Sequence, residues 1–299
     1  MLREEQIKLT GPMLLKARAR DYMQLMKPNL SFMVVFSSVI GYLLAPQVQF
    51  AWKEVLILFT GGMLVTNGAN TINQIIERYS DRLMSRTKLR PLPDGRMRQA
   101  EAWVIAIVSG IAGTVLLSLS FNLFAGLLSF FSLLIYAFAY TPLKKISPIA
   151  VFVGAIPGAL PPMIGWVAAT GHIGVEGWAL FLIQFFWQFP HFWAIAWVGF
   201  EDYERAGIHM LPSRAGRTRF TGLQCMFYSL VLIPLAVVPR MLGLSGNTGM
   251  LVCIACGLLY FLASALFYKN NDHKSARRVM FASFIYLPVV LLALLLDKL

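Results

Sequence analysis

Charged residues are few in this sequence. Asp, Glu, Lys and Arg make up 13% of its 299 residues, while 58% are hydrophobic. A soluble domain carries about a quarter charged residues, so an ordinary water-facing globule is excluded and a lipid-embedded chain implied. Cysteine is nearly absent: Cys225, Cys253 and Cys256 are too few, and too deep in apolar runs, for a disulfide framework. Cys253 and Cys256 form a CxxC, but one set among Ile, Ala, Leu and Val, where small polarizable residues pack helices. Acids are scarce as well, 14 against 26 basic residues. The first 28 residues are polar and charged, with no short apolar core before a small-residue cleavage site, so no signal peptide is expected.

What abounds is long apolar runs. A membrane span takes about 20 such residues, and nine stretches qualify: about 30–45, 54–73, 102–119, 122–140, 149–169, 177–198, 220–238, 248–268 and 278–296. The predicted fold is all-α, a polytopic bundle of about nine transmembrane helices. Residues 1–21 form a cytoplasmic N-terminal segment and 22–299 a single integral-membrane domain. With the N-terminus cytoplasmic, 23 of the 26 Lys and Arg fall on the cytoplasmic side, leaving Lys53, Arg240 and Lys298 opposite. That is the positive-inside bias, so the formal charge of +12 is a topology signal and nucleic acid is not an expected partner. A multi-pass protein of a bacterial inner membrane follows.

The acids that exist are clustered. Two long connections, 77–100 and 199–219, are both cytoplasmic in this topology, and each presents acids, then arginines, then proline. In "NQIIERYSD", Asn73, Glu77 and Asp81 recur every four residues, so they line one helix face over two turns, and Asn70 extends the stripe into the apolar run. One amide and two carboxylates suit a hard cation, Mg²⁺ in particular, which shares its shell with water and phosphate. Arg82, Arg86, Lys88, Arg90, Arg96 and Arg98 follow, and arginine's planar fork binds phosphate oxygens. The second connection carries Glu201, Asp202 and Glu204 with Arg205, Arg214, Arg217 and Arg219. Two acidic clusters at one depth could clamp a diphosphate between metal ions and assist its departure. Within the bundle, Pro157, Pro161 and Pro162 should kink or unwind their span. Gln184, Gln188 and His191 are expected near one face of theirs.

The stretches "NQIIERYSDRLMSRTKLRPLPDGR", "YTPLKK", "GAIPGALPPMIGW", "WQFPHFWAIAW" and "DYERAGIHMLP" resemble the haem O synthase (protohaem IX farnesyltransferase) family of UbiA-type intramembrane prenyltransferases, over roughly residues 20–296. The resemblance implies a nine-helix bundle around a central cavity and Mg²⁺-assisted ionisation of farnesyl diphosphate. It also implies farnesyl transfer to a vinyl group of haem B with water addition, giving haem O for terminal oxidase biogenesis. Haem B is then substrate, membrane lipid the surroundings, and haem A synthase or oxidase assembly factors are candidate partners. Carried over position by position, Asn73, Glu77 and Asp81 stand in the first metal motif, with Glu77 where Asp is usual. Asp202 heads the second motif, usually DxxxD, but Ala206 stands four residues on where the second Asp is usual, so that metal's coordination departs from the pattern. Arg86, Arg90, Lys144, Lys145 and Tyr140 are the expected diphosphate partners, and His191 is the candidate haem-binding residue. An aromatic or quinone-precursor polyprenyltransferase would share both loops and differ around His191. A transporter would also explain intramembrane polar residues and broken helices, but not two acid–arginine loops.

Overall fold

The computed structural model describes residues 11–299; residues 1–10, which belong to the 1–21 segment and to the stretch read for a signal peptide, lie outside the described residues. The described chain is helical: α1 (Gly11–Met26), α2 (Pro28–Leu44), α3 (Trp52–Leu83), α4 (Gln99–Ser120) and α5 (Leu123–Leu134) come first. A π-helical stretch (Ile135–Tyr140) and the single turn α6 (Thr141–Leu143) prolong α5. Then come α7 (Ala150–Thr170), α8 (Gly174–Val198), α9 (Phe200–Arg205), α10 (Arg219–Leu235), α11 (Val238–Met241), α12 (Asn247–Asn270) and α13 (His273–Leu296). Among the described residues, eight helices are long and apolar enough to cross a membrane by length and composition. The run expected at 30–45 falls on α2, which is apolar but shorter than these eight. Sequence reading did not anticipate α1, which crosses the domain boundary drawn at residue 21.

Lipid offers no hydrogen bonds, so each backbone segment satisfies itself as a helix and its side chains decide the packing. Helix α7 sits at the centre, packed on α2, α5 and α8; α8 in turn packs on α10 and α13, and α3 on α2 and α4. Outward faces carry exposed leucines and isoleucines such as Leu119, Leu259 and Ile285, as lipid-facing surface requires. Buried hydroxyls turn back onto their own helix: Ser229 donates to the Cys225 carbonyl and Ser264 to that of Tyr260. Among the described residues the three cysteines are free.

Of the kink or unwinding expected in α7, the unwinding is absent: the helix runs unbroken through all three prolines. A proline leaves the carbonyl four residues earlier without its helical donor, and neighbouring helices supply two replacements. Pro161 frees the Pro157 oxygen, which accepts from Ser132 Oγ at 3.2 Å. Pro162 frees the Gly158 oxygen, which accepts from Gln184 Nε2 at 2.8 Å. Polar side chains on α5 and α8 thus satisfy carbonyls that the prolines of this central helix free.

Candidate active site

Helix α3 has 32 residues, about 48 Å at 1.5 Å each. That exceeds a hydrocarbon core of about 30 Å, so one end projects beyond it, and the predicted stripe lies in that final part. Asn73, Glu77 and Asp81 are all buried, at 2%, 6% and 0% exposure. Their oxygens are turned toward cations of three different segments, Lys27, Arg90 and Lys144.

The amide of Asn73 fixes the top of the stripe. Its Nδ2 donates to Glu77 Oε2 at 2.9 Å and to Thr141 Oγ1 at 3.1 Å. Thr141 follows the π-helical stretch and donates its hydroxyl to the Tyr136 carbonyl at 2.8 Å; such stretches recur at functional sites because they re-aim side chains. With its nitrogen engaged, Asn73 presents Oδ1 to Lys27 Nζ, 3.4 Å away. Lys27 was not singled out from the sequence. It caps α2 in a left-handed backbone conformation (φ 50°), uncommon for a side-chain-bearing residue, directly before Pro28. Burial pushes its ammonium down to about 7, with Arg90 adding to the shift.

Lys144 pairs with the other oxygen of Glu77 and lies 4.7 Å above the Tyr140 ring. Burial works against its charge, but Glu77 outweighs that and holds the ammonium above the usual lysine value. The Tyr140 ring fits here because residue 154 is glycine: a Cβ there would stand 2.5 Å from ring carbon Cδ2. The GxxxG spacing serves close packing at both positions, since a Cβ on Gly158 would meet the Gln188 carboxamide.

Arg90 Nη1 donates to Asp81 Oδ2 at 2.9 Å, and Asp81 Oδ1 is buried with no partner. The connection carrying Arg90 is held by its own polar groups. Thr87 Oγ1 donates to the Asp81 carbonyl at 2.9 Å, Arg82 Nε to the Pro93 carbonyl at 2.6 Å, and Arg96 Nε to Asp21 Oδ1 at 3.1 Å. Gly95 takes a positive φ of 79° at the turn. Arg86 projects into an open cavity of about 760 Å³ that Arg20, Gln24, Lys27 and Arg90 also line. Lys145 is exposed on the neighbouring turn.

Asp202 takes a different place. It accepts from Ser85 Oγ (2.7 Å to Oδ2), from the Ser85 N–H (3.2 Å) and from the Arg86 N–H (3.4 Å), and pairs with Arg205. The Ser85 hydroxyl leads in holding its carboxyl down at about 2. It thereby ties α9 to the connection after α3. Glu201 is engaged by Arg217 at 2.5 Å, and Ala206 is buried. Among the described residues, no three of His, Cys, Asp and Glu gather as a metal cluster. The structure therefore unites Asn73, Glu77, Asp81, Arg90, Lys144 and Tyr140, adds Lys27, and leaves Asp202 on the adjoining tie.

The polar face expected on α8 divides. Gln184 and Gln188 donate to the Gly158 and Ala155 carbonyls of α7, whereas His191 turns to α13, its Nδ1 2.8 Å from Ser283 Oγ. Ser283 spends its hydroxyl proton on the Met280 carbonyl, so Oγ accepts from His191 and the imidazole proton sits on Nδ1. The Nε2 lone pair is left free. The ring stacks on Trp187, centroids 4.8 Å apart.

A match to the UbiA prenyltransferase family covers residues 34–287. A protoheme IX farnesyltransferase of Cytophaga hutchinsonii is 50% identical over 277 residues, covering 93% of this chain and 97% of that protein. One from Flavobacterium psychrophilum is 40% identical over 292 residues, covering 95% and 96%. Among solved structures, one reported for digeranylgeranylglyceryl phosphate synthase superposes with a TM-score of 0.78 at 23% identity, covering 94% of this chain and 98% of its own. A UbiA homolog from Archaeoglobus fulgidus, bound to GPP and Mg²⁺, superposes with a TM-score of 0.66 at 16% identity, covering 92% and 99%. The two structures share its fold. With a family match over most of its length and a relative identical at half its positions, this chain belongs to the UbiA prenyltransferase family.

Proposed function

We propose that this protein transfers a farnesyl group from farnesyl diphosphate to a vinyl group of haem B, with addition of water, releasing diphosphate and haem O. The observation that carries the reading is the buried oxygen stripe of Asn73, Glu77 and Asp81 facing Lys27, Arg90 and Lys144. It occurs in a chain half identical to a protoheme IX farnesyltransferase. The quinone-precursor alternative lacks that support.

The stripe fits Mg²⁺ by its chemistry: its donors are all oxygens, and Asp81 Oδ1 is a buried carboxylate oxygen without a partner. Asn73, Glu77 and Asp81 would hold the ion, with Asp202 the candidate on the second loop, and a bound Mg²⁺ neutralises charge on the departing diphosphate. Arg86, Arg90, Lys144, Lys145 and Lys27 bind and orient the diphosphate oxygens. As the C1–O bond breaks, both electrons leave with the diphosphate. The Tyr140 ring face, already beneath Lys144, steadies positive charge on the allylic carbon. Apolar walls keep water away until the vinyl π-electrons have formed the new C–C bond. Water then adds to the resulting cation and loses a proton. His191, with its free Nε2, is the group we assign to the acceptor.

The reading places the protein in the bacterial inner membrane with its site at the cytoplasmic face, and terminal oxidase assembly factors or haem A synthase as partners. Its test is mass spectrometry of haem recovered after incubating purified protein with haem B, farnesyl diphosphate and Mg²⁺. A magnesium-dependent gain of one farnesyl group plus one water is expected. Diphosphate release only with an aromatic acid acceptor would replace it with the quinone-precursor reading. For His191, the haem absorption spectrum of wild type against His191→Ala decides, identical bound spectra removing the assignment.

A further inference from the structure

A cavity of about 240 Å³ lies under the second long connection, where α7 begins and α8 ends. Pro148 leads into α7 on one side and Ala196 belongs to the last turns of α8, while Glu204, His209 and Arg214 come from α9 and the segment after it. Other ions of this connection are already engaged, Arg205 by Asp202 and Arg217 by Glu201. Glu204 and Arg214 are different: among the described residues neither forms an ion pair, with the other or with any third group. An acid and a base thus line one small space without meeting.

The surroundings are those of a membrane interface. Ile149 and Phe152 at the start of α7, and Phe220 and Phe227 on α10, are exposed apolar side chains at the helix ends and just inside them. Between them α8 is aromatic. Phe189 stands seven residues before Ala196, two turns deeper on the same face. Its ring lies 6.1 Å from that of Phe152 and 4.2 Å from that of Tyr228, centroid to centroid. A polar cavity therefore caps an apolar groove between α7 and α10.

We propose that this cavity binds the headgroup of phosphatidylethanolamine, with Arg214 on the phosphate, Glu204 on the ammonium and the acyl chains along the α7–α10 groove. Basic pockets between spans are a recurring way to hold lipid phosphate; here the added acid selects a zwitterion. Size agrees: at about 30 Å³ per water the space equals about eight waters, and a phosphoethanolamine group has about eight non-hydrogen atoms. Charge agrees as well, since each ion of the headgroup finds its opposite and none is left stranded. A choline headgroup has no N–H for Glu204 and favours an aromatic face, yet Phe200 at this cavity already faces the Arg217 guanidinium at 5.2 Å. A glycerol headgroup would leave Glu204 beside an anion with no cation to answer it. The His209 N–H donates to the Lys144 carbonyl at 2.7 Å, so a lipid seated here braces the turn that carries Lys144.

The test is native mass spectrometry of the full-length protein released from vesicles of equal parts phosphatidylethanolamine, phosphatidylcholine and phosphatidylglycerol. Wild type is expected to retain one phosphatidylethanolamine, about tenfold over either other lipid, the size of one charge-assisted hydrogen bond. Glu204→Gln should erase the preference over phosphatidylcholine, and Arg214→Met should lower phosphatidylethanolamine retention about tenfold. Arg219→Met, an exposed cation outside the cavity, should change neither. Glu204 and Arg214 are exposed too, so their replacement leaves the bundle folded, as the Arg219 variant controls. Equal retention of the three lipids by wild type would overturn the proposal, as would Glu204 and Arg214 variants that behave like wild type. A preference for phosphatidylglycerol, lost in Arg214→Met alone, would overturn it in favour of an anionic-lipid site. Displacement of the lipid by free phosphoethanolamine at equal concentration would make the ligand a soluble one and overturn the lipid assignment.

Discussion

Arg90 and Asp81 meet at 2.9 Å through Nη1 and Oδ2, yet the second oxygen of the same buried carboxylate has no partner. The pair is thus half satisfied, an arrangement suited to a further positive ligand. Removing one partner of a buried ion pair typically costs about 3–5 kcal/mol because the other charge is stranded. We expect Arg90→Met to sit at the low end, about 3 kcal/mol, since the Arg90 side chain is 22% exposed. Asp81→Asn should abolish transfer with the bundle intact, and the double variant should regain most of the stability but no activity. Unfolding in a graded SDS series, read beside the haem product assay, checks both; activity in Asp81→Asn would dismiss the metal stripe.

Lys27, between α1 and α2, is a cation we assign to the diphosphate: it reaches Asn73 at 3.4 Å and lines the same cavity as Arg86 and Arg90. Replacing it with Met should raise the donor's KM about tenfold, the size of one charge-assisted hydrogen bond, with a smaller change in kcat. Steady-state kinetics over a donor series decides it. A KM within twofold of wild type would leave Lys27 a structural cap of α2.

Tyr140 and Gly154 form a lock whose geometry is unforgiving, with 2.5 Å between a built Cβ and the ring. Gly154→Ala should displace the ring and Lys144 with it, lowering transfer about 100-fold, as small misplacements of catalytic groups do. Tyr140→Phe keeps the ring and should retain most activity. If Tyr140→Phe were as inactive as Gly154→Ala, the hydroxyl and not the ring face would be the working part.

Gln184 is explained by Pro162, through the carbonyl that the proline frees. Gln184→Leu should destabilise the protein by about 1–3 kcal/mol, the penalty of a buried unpaired acceptor. Adding Pro162→Ala restores a helical N–H to the Gly158 oxygen and should recover much of the loss. SDS-unfolding midpoints of the two variants and their combination measure this; simple additivity would break the link.

The sequence by itself determined the material and the chemistry. Scarce charge and long apolar runs dictate helices in lipid, because backbone groups there have only each other to bond with. The four-residue spacing of Asn73, Glu77 and Asp81 fixes their common face, since helical periodicity is local. Tertiary structure decided which groups answer that face. Lys27 is 46 residues from Asn73, in a left-handed backbone conformation that leaves no periodic trace. Asp202 reads as a partner of the stripe by composition, yet Ser85, 117 residues away in the chain, claims its oxygens. Likewise, α8 spacing groups Gln184, Gln188 and His191, but α7 and α13 pack on different sides and draw them apart. Prolines alone predict a kink or unwinding in α7; the helix stays continuous, and side chains from α5 and α8 answer carbonyls the prolines free. Spacing fixes where a side chain points on its own helix, and only the packing of other helices decides what it meets there.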